Sequence, residues 1–184
     1  MGKIYYKNGQ IYDGEVFEDL EYGKGIKTLP DGRRYEGTWR RNKDDNITKW
    51  KITGYDKDEN KILEISEGEG EGSYVFTNGD EYEGEWKNGI REGNGSQSYS
   101  SGGRYEGEWK KDLWDGKGTF YEINGDKYVG QFRNWNRHGH GIYTWTNGQK
   151  YDGQWIDGKR HGYGIMMFKS GEKYEGEWKN DLFD

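Results

Sequence analysis

Tyr82-Glu83-Gly84-Glu85-Trp86 is one copy of a phrase that returns at a fixed interval. Tyr105 to Trp109, Tyr151 to Trp155 and Tyr174 to Trp178 repeat Tyr-x-Gly-x-Trp, and Tyr128 to Phe132 differs only in its last residue. The five tyrosines stand 23 residues apart without slippage, and Tyr12 and Tyr35 keep the same interval near the start. A fixed period of this length marks a repeat architecture, in which each unit buries its apolar face against its neighbours.

Composition agrees with an aromatic rather than an aliphatic core. Val, Ile, Leu and Phe supply about one residue in seven, a level that by itself reads as disorder. Nine Trp and 16 Tyr take their place, and each such ring can bury roughly 150–250 Å². The 32 glycines recur at fixed places in the period and are not linker material. A formal charge of −6 argues against a general nucleic-acid binder, which needs excess Lys and Arg to displace counterions. Without Cys there is no disulfide, thiolate metal site or thiol nucleophile. No apolar run approaches membrane-spanning length and no secretory h-region opens the chain, so the expected setting is cytoplasmic. Met1-Gly2 lacks the Ser or Thr at position 6 that myristoylation favours, since Tyr6 stands there. Asn46-Ile47-Thr48 and Asn94-Gly95-Ser96 fit the glycosylation pattern by chance on this reading.

Within each period a Gly follows the Tyr by two, as at Gly84, Gly107, Gly130, Gly153 and Gly176, and a Gly-x-Gly comes next, as at Gly93/Gly95 and Gly139/Gly141. Asn-Gly or Asp-Gly precedes the next Tyr, as at Asn78-Gly79 and Asn147-Gly148. That dipeptide predicts a hairpin through a type I′ turn, with positive φ at both central residues. One arm is a segment such as Ile142-Tyr143-Thr144-Trp145, and the other is the Tyr phrase. Strand alternation puts Tyr, Gly and Trp on one face and Glu83/Glu85, Glu106/Glu108 and Glu175/Glu177 on the other, as exposed ladders. The expected fold is all-β: an elongated, twisted, single-layer antiparallel sheet of successive β-hairpins. It forms one domain over 1–184, with about seven to eight units and partial units at both ends.

The combination Tyr-Glu-Gly-Glu-Trp-Lys, Gly-x-Gly and Asn-Gly resembles the MORN repeat (membrane occupation and recognition nexus), over nearly the whole chain. The resemblance implies a sheet of hairpins with a groove lined by Tyr and Trp, and no catalysis of its own. The enzymes among similar proteins carry a separate domain that is not visible here.

Tyr35 and Tyr82 are 47 residues apart, two periods plus one, so a degenerate unit near 42–67 is expected. Lys49 to Thr53 and Lys61 to Ile65 read as its strands around a polar tip, and the twist or curvature is expected to change there. Asp56-x-Asp58-x-Asn60 with Glu67 at the twelfth place matches a calcium loop. It lacks flanking helices, Lys61 stands where the loop needs Gly, and the solvated tip is the preferred reading. His138, His140 and His161, the three histidines, lie in loops one period apart and are candidate zinc ligands. A basic residue before Gly-x-Gly is common in similar proteins, so no metal is expected, nor any cofactor. Histidines confined to such loops form no Ser-His-Asp constellation, and no enzyme activity is expected.

Two binding readings follow. The first is a non-enzymatic scaffold or adaptor whose aromatic groove holds a helix or extended segment of a partner protein. Its lining is Tyr82, Trp86, Tyr105, Trp109, Tyr128, Phe132, Tyr151, Trp155, Tyr174 and Trp178, each ring packing by one edge and leaving the rest available. Similar chains built almost wholly of repeats suggest a cytoskeletal or ciliary assembly, and the chain ends suggest homo-oligomer contacts. The alternative is a peripheral membrane binder that meets anionic phospholipids through Arg133, Arg137, His138, Lys159, Arg160 and His161.

Overall fold

The computed structural model describes residues 1–18, 20–39, 51–66, 69–76 and 78–183. Among them there is no helix, and seventeen strands run antiparallel to their neighbours in successive hairpins. They fall in two compact units, Met1–Gly95 and Ser96–Asp184. The first holds β1 (Gly2–Tyr5), β2 (Ile11–Phe17), β3 (Leu20–Thr28), β4 (Arg34–Trp39), β5 (Lys51–Tyr55), β6 (Lys61–Ser66), β7 (Glu69–Val75), β8 (Glu81–Lys87) and most of β9 (Ile90–Ser98). The second holds β10 (Arg104–Lys110), β11 (Leu113–Tyr121), β12 (Lys127–Arg133), β13 (Asn136–Thr144), β14 (Lys150–Ile156), β15 (Lys159–Met167), β16 (Lys173–Lys179) and β17 (Leu182–Phe183).

The predicted alternation is present. In β8, Tyr82 and Trp86 are buried while Glu83 and Glu85 are exposed.

The turn chemistry is not where the dipeptide placed it. Asn78-Gly79 belongs to a longer loop in which the Phe76 N–H donates to the Asp80 carbonyl and the Gly79 N–H to the Phe76 carbonyl. Among the described residues of this loop the glycine alone has positive φ (87°), the left-handed place that closes a longer hairpin loop. Asn serves there through its side chain: Asn78 Oδ1 accepts the Asp80 N–H at 3.0 Å, and Asn124 and Asn147 repeat the bond to Asp126 (2.9 Å) and Gln149 (3.0 Å). The two-residue turns with positive φ at both places lie at the opposite end of the strands. They are Asn88-Gly89, Lys111-Asp112, Asn134-Trp135, Asp157-Gly158 and Asn180-Asp181.

Gly-x-Gly forms a bulge rather than a simple passage to the next unit. In β12 and β13, Gly130 pairs with Gly141 but the next pair is Gln131 with His138, so Gly139 and His140 have no partner on β12. Gly139 takes a left-handed φ of 59° there. The freed His140 N–H is accepted by Gln131 Oε1 at 3.1 Å. Glu85 and Glu108 accept the equivalent N–H of Asn94 (2.7 Å) and Lys117 (2.8 Å), so these carboxylates cap bulges rather than forming a bare ladder.

The degenerate unit continues the inward face without the phrase. β5 and β6 pair, and Ile52 and Leu63 are buried. Lys49 and Trp50, and Glu67 of the calcium-loop template, lie outside the described residues, as do Asn46, Ile47 and Thr48. Asp56 is committed to the tip: its carboxylate accepts the N–H groups of Asp58 (2.9 Å) and Asn60 (2.8 Å) and the Asn60 amide. Those bonds, the Asn60 side chain first, hold its pKa below the usual carboxylate range.

Strands far apart in sequence meet within the first unit. Lys27 of β3 reaches the Tyr74 hydroxyl of β7 at 3.3 Å, and the Val75 N–H donates to the Tyr35 hydroxyl at 3.2 Å. Gln10 Nε2 donates to the Phe76 carbonyl at 3.0 Å. Lys27 and Glu21 form an ion pair at 3.4 Å with both side chains fully buried, and the Tyr6 hydroxyl donates to Glu21 at 2.8 Å.

Candidate functional site

The repeated phrase builds a ladder of rings. Within each copy Tyr meets Trp edge to face: Tyr105 and Trp109 lie 5.3 Å apart at 85°, and Tyr151 and Trp155 lie 5.2 Å apart at 88°. The same Tyr meets the aromatic residue of the following copy in the same way. Tyr105–Phe132, Tyr128–Trp155 and Tyr151–Trp178 stand at 5.2, 5.4 and 5.1 Å. Each tyrosine is therefore wedged between two indoles or phenyls in the arrangement their quadrupoles favour.

Glycine makes the wedge fit. The Tyr128 ring lies across the facing pair Gly130 and Gly141, where an added Cβ would fall 2.5 and 2.2 Å from its hydroxyl oxygen. The hydroxyl then donates to the Gln131 carbonyl at 2.9 Å. Tyr82, Tyr105, Tyr151 and Tyr174 make the matching bond to Glu85, Glu108, Gln154 and Glu177. Trp155 and Trp178 donate from Nε1 to the carbonyls of Gly141 (3.1 Å) and Gly164 (3.3 Å). Burial pushes the Tyr151 hydroxyl up to about 12 and raises those of Tyr105, Tyr128 and Tyr143 as well. These groups stay protonated donors near neutral pH.

Within each unit the expected groove rings are brought together, but closed. Tyr82, Tyr105, Tyr128 and Tyr151 are fully buried, Trp86, Trp109, Phe132, Trp155 and Trp178 nearly so, and Tyr174 half-buried. The expectation that part of each ring stays available is corrected: the next copy covers one side and arginines cover another.

The expected basic edge supplies those arginines. Arg137 lies 4.8 Å from the Trp155 ring centre and 5.0 Å from Tyr143, and Arg160 lies 4.3 Å from Trp178. Arg160 also donates from Nε to Asp181 Oδ1 at 3.0 Å, and Arg137 stands 3.7 Å from Glu122. Arg133 and Lys159 are exposed, while His138 and His161 are half-buried. The six residues do not form one outward-facing edge, because two of the cations turn onto the rings. His140 pairs with Asp152 at 3.2 Å, and among the described residues no group of three or more metal-ligating side chains converges.

A second periodic row escaped the sequence reading. Phe76 in the first unit and Tyr99, Trp145 and Phe168 in the second each stand just before a long loop, at the 23-residue interval with Glu122 between, and all are partly exposed. They continue the inward face two residues beyond the buried row, and Trp145 packs 4.5 Å from Tyr143. The same 23-residue count that found the phrase would have found them. In the second unit Tyr99, Trp145 and Phe168, together with Arg137 and Arg160, form the accessible part of the aromatic face.

Fold and face together define a class: a repeat protein of stacked antiparallel hairpins with an aromatic ladder. The MORN repeat family matches residues 12–33, 35–43, 68–81, 82–104, 105–127, 128–150, 151–173 and 174–184, and the chain belongs to that family. The matches stop at 43 and resume at 68, on either side of β5 and β6. Alsin of Rattus norvegicus is 28% identical over 95 residues, covering 47% of this chain and 6% of alsin, and alsin of Homo sapiens matches with the same figures. The chain thus corresponds to a small part of these curated relatives. The SAS-4 (dCPAP) TCP domain of Drosophila melanogaster, solved in complex with a proline-rich motif of Ana2 (dSTIL), aligns with a TM-score of 0.41 at 11% identity. That alignment covers 96% of this chain and 89% of the other. A likeness this loose carries no argument about binding.

Proposed function

We propose that the chain is a non-catalytic scaffold that holds a segment of a partner protein, as a helix or extended strand, against its aromatic face. The observation that carries this reading is the partly exposed ring row over a closed core, with Tyr99, Trp145, Phe168, Arg137 and Arg160 in the second unit. Aromatic rings and arginines are the side chains that anchor protein interfaces. The phrase rings of the second unit, Tyr105 to Trp178, form the floor that fixes this row, contributing rigidity more than contact area. The tyrosine hydroxyls and capping carboxylates are occupied in holding the backbone, which favours binding over catalysis and calls for no cofactor and no nucleic acid. A cytoplasmic place in a cytoskeletal or ciliary assembly is the proposed setting.

Partner capture from native extract tests this, using wild type, Trp145→Ala with Phe168→Ala, and Arg133→Glu with Lys159→Glu. Sedimentation with phosphatidylcholine vesicles containing phosphatidylserine runs in parallel. The ring variant, checked for folding by circular dichroism, is expected to lose its partner while the charge variant keeps it. If the folded ring variant keeps every partner and the charge variant loses vesicle binding, the membrane reading replaces the scaffold.

A further inference from the structure

Two adjacent copies of the repeat, 105–127 and 128–150, each depart from the usual pattern at one place. At the second place of the strand after the tight turn, where three other copies carry Arg91, Arg137 and Arg160, the first of these two carries Trp114. Where the tight turn's second residue is Gly89, Asp112, Gly158 or Asp181 elsewhere, in the second it is Trp135, held at φ 71°. A bulky side chain in the left-handed region is an outlier, and such strain persists where the surroundings enforce it, often at functional sites. The two indoles lie 4.9 Å apart. With Phe120, 4.9 Å from Trp114, and Phe132, 5.5 Å away, they wall a pocket in the second unit that Glu122 and Arg137 complete.

The chemistry of the pocket restricts its occupant. Trp155 and Trp178 each donate to a glycine carbonyl, but Trp114 Nε1 is buried with no acceptor. A donor in that state is an unmet demand worth about 1–3 kcal/mol. The ligand must therefore bring an oxygen acceptor and an apolar body for four aromatic walls. A cationic guest such as a methylated lysine is disfavoured, because Arg137 stands in the wall and Glu122 already faces Arg137 at 3.7 Å and the Tyr143 hydroxyl at 2.8 Å. Polyproline II meets each condition. Its carbonyls have no internal partners, its rings are apolar, and proline brings no N–H to be stranded on burial.

We propose that the Trp114–Trp135 pocket binds a proline-rich segment in the polyproline II conformation, with a ligand carbonyl accepting from Trp114 Nε1. This deepens the scaffold reading and rests on it. Trp135, seated on a turn and 38% exposed, is the wall that turns aside to admit that carbonyl.

The test measures fluorescence anisotropy of labelled decaproline against the full chain, with a Gly-Ser decamer and a trimethyl-lysine peptide as comparison probes. Trp135→Gly and Trp114→Arg restore the residues of the other copies, so they remove the pocket while keeping the repeat pattern. Decaproline is expected to saturate wild type and to bind Trp135→Gly at least about tenfold more weakly, the loss of one aromatic anchor. The Trp114 indole proton signal is expected to move on peptide addition. If Trp114→Arg fails to fold by circular dichroism, Trp135→Gly and the indole signal decide. Absence of saturation, equal binding by Trp135→Gly, an unmoved Trp114 signal, or preference for either comparison probe overturns the proposal. Partner capture through Trp145 and Phe168 that persists when decaproline fails would sink this ligand and leave the scaffold standing, whereas capture that also fails would remove both.

Discussion

Glycine in this protein does two different jobs, and substitution separates them. Gly141 has ordinary extended backbone but no room, since an added Cβ would sit 2.2 Å from the Tyr128 hydroxyl. Gly148 has room, with nothing within 4 Å of an added Cβ, but a φ of 92°. Gly141→Ala is expected to push the wedged ring out and destabilise by about 1–3 kcal/mol, the usual result of overpacking. Gly148→Ala carries only the conformational penalty of about 1–2 kcal/mol. Chemical denaturation of both variants checks the order. It also checks the cause: only Gly141→Ala should shift the near-ultraviolet signal of the tyrosine and tryptophan packing.

At the scale of the hairpin, the bulge is the element that the phrase and Gly-x-Gly build together. Glu108 Oε1 accepts the Lys117 N–H at 2.8 Å, and an added Cβ on Gly116 would lie 2.6 Å from the other carboxylate oxygen. The residue after the phrase glycine is thus chosen for an acceptor that reaches across the strand, and Gln131 and Gln154 fill the same place. Glu108→Gln should leave thermal stability nearly unchanged. Glu108→Ala should lower it by about 1 kcal/mol, the net value of one such hydrogen bond. A variant pair with equal melting temperatures would show that the cap contributes nothing. The turns belong to this scale as well. Asn-Gly was read as the two-residue hairpin turn before each Tyr, yet those loops use Asn for its side-chain acceptor and Gly alone for positive φ, while the tight turns at the other end sit on Asn-Gly, Lys-Asp, Asn-Trp, Asp-Gly and Asn-Asp. Sequence favours several turns at such a dipeptide, and the length of chain left between paired strands selects among them.

At the scale of the whole molecule the two units differ in what holds them. The second is described by contacts between neighbouring copies, such as Tyr128 with Trp155. The first adds contacts between strands far apart in sequence, among them the buried Glu21–Lys27 pair against Tyr74. Lys27→Met should destabilise by about 3–5 kcal/mol, because it leaves the Glu21 carboxylate buried without its counter-charge. Adding Glu21→Leu should recover much of that loss, since apolar packing can replace a buried pair. Denaturation of the single and double variants measures the difference, and a double variant as weak as the single would refute this account. By itself the sequence determined the period, the all-β hairpin fold and which side chains face inward, because those follow from spacing and from strand alternation. Only the tertiary structure decided that the phrase rings are closed, that Arg137 and Arg160 lie over them, that Phe76, Tyr99, Trp145 and Phe168 remain accessible, and that the first unit folds around an ion pair. Each of these depends on what the next copy, or a strand some 40 residues away, places against a side chain, and no local pattern encodes that neighbour.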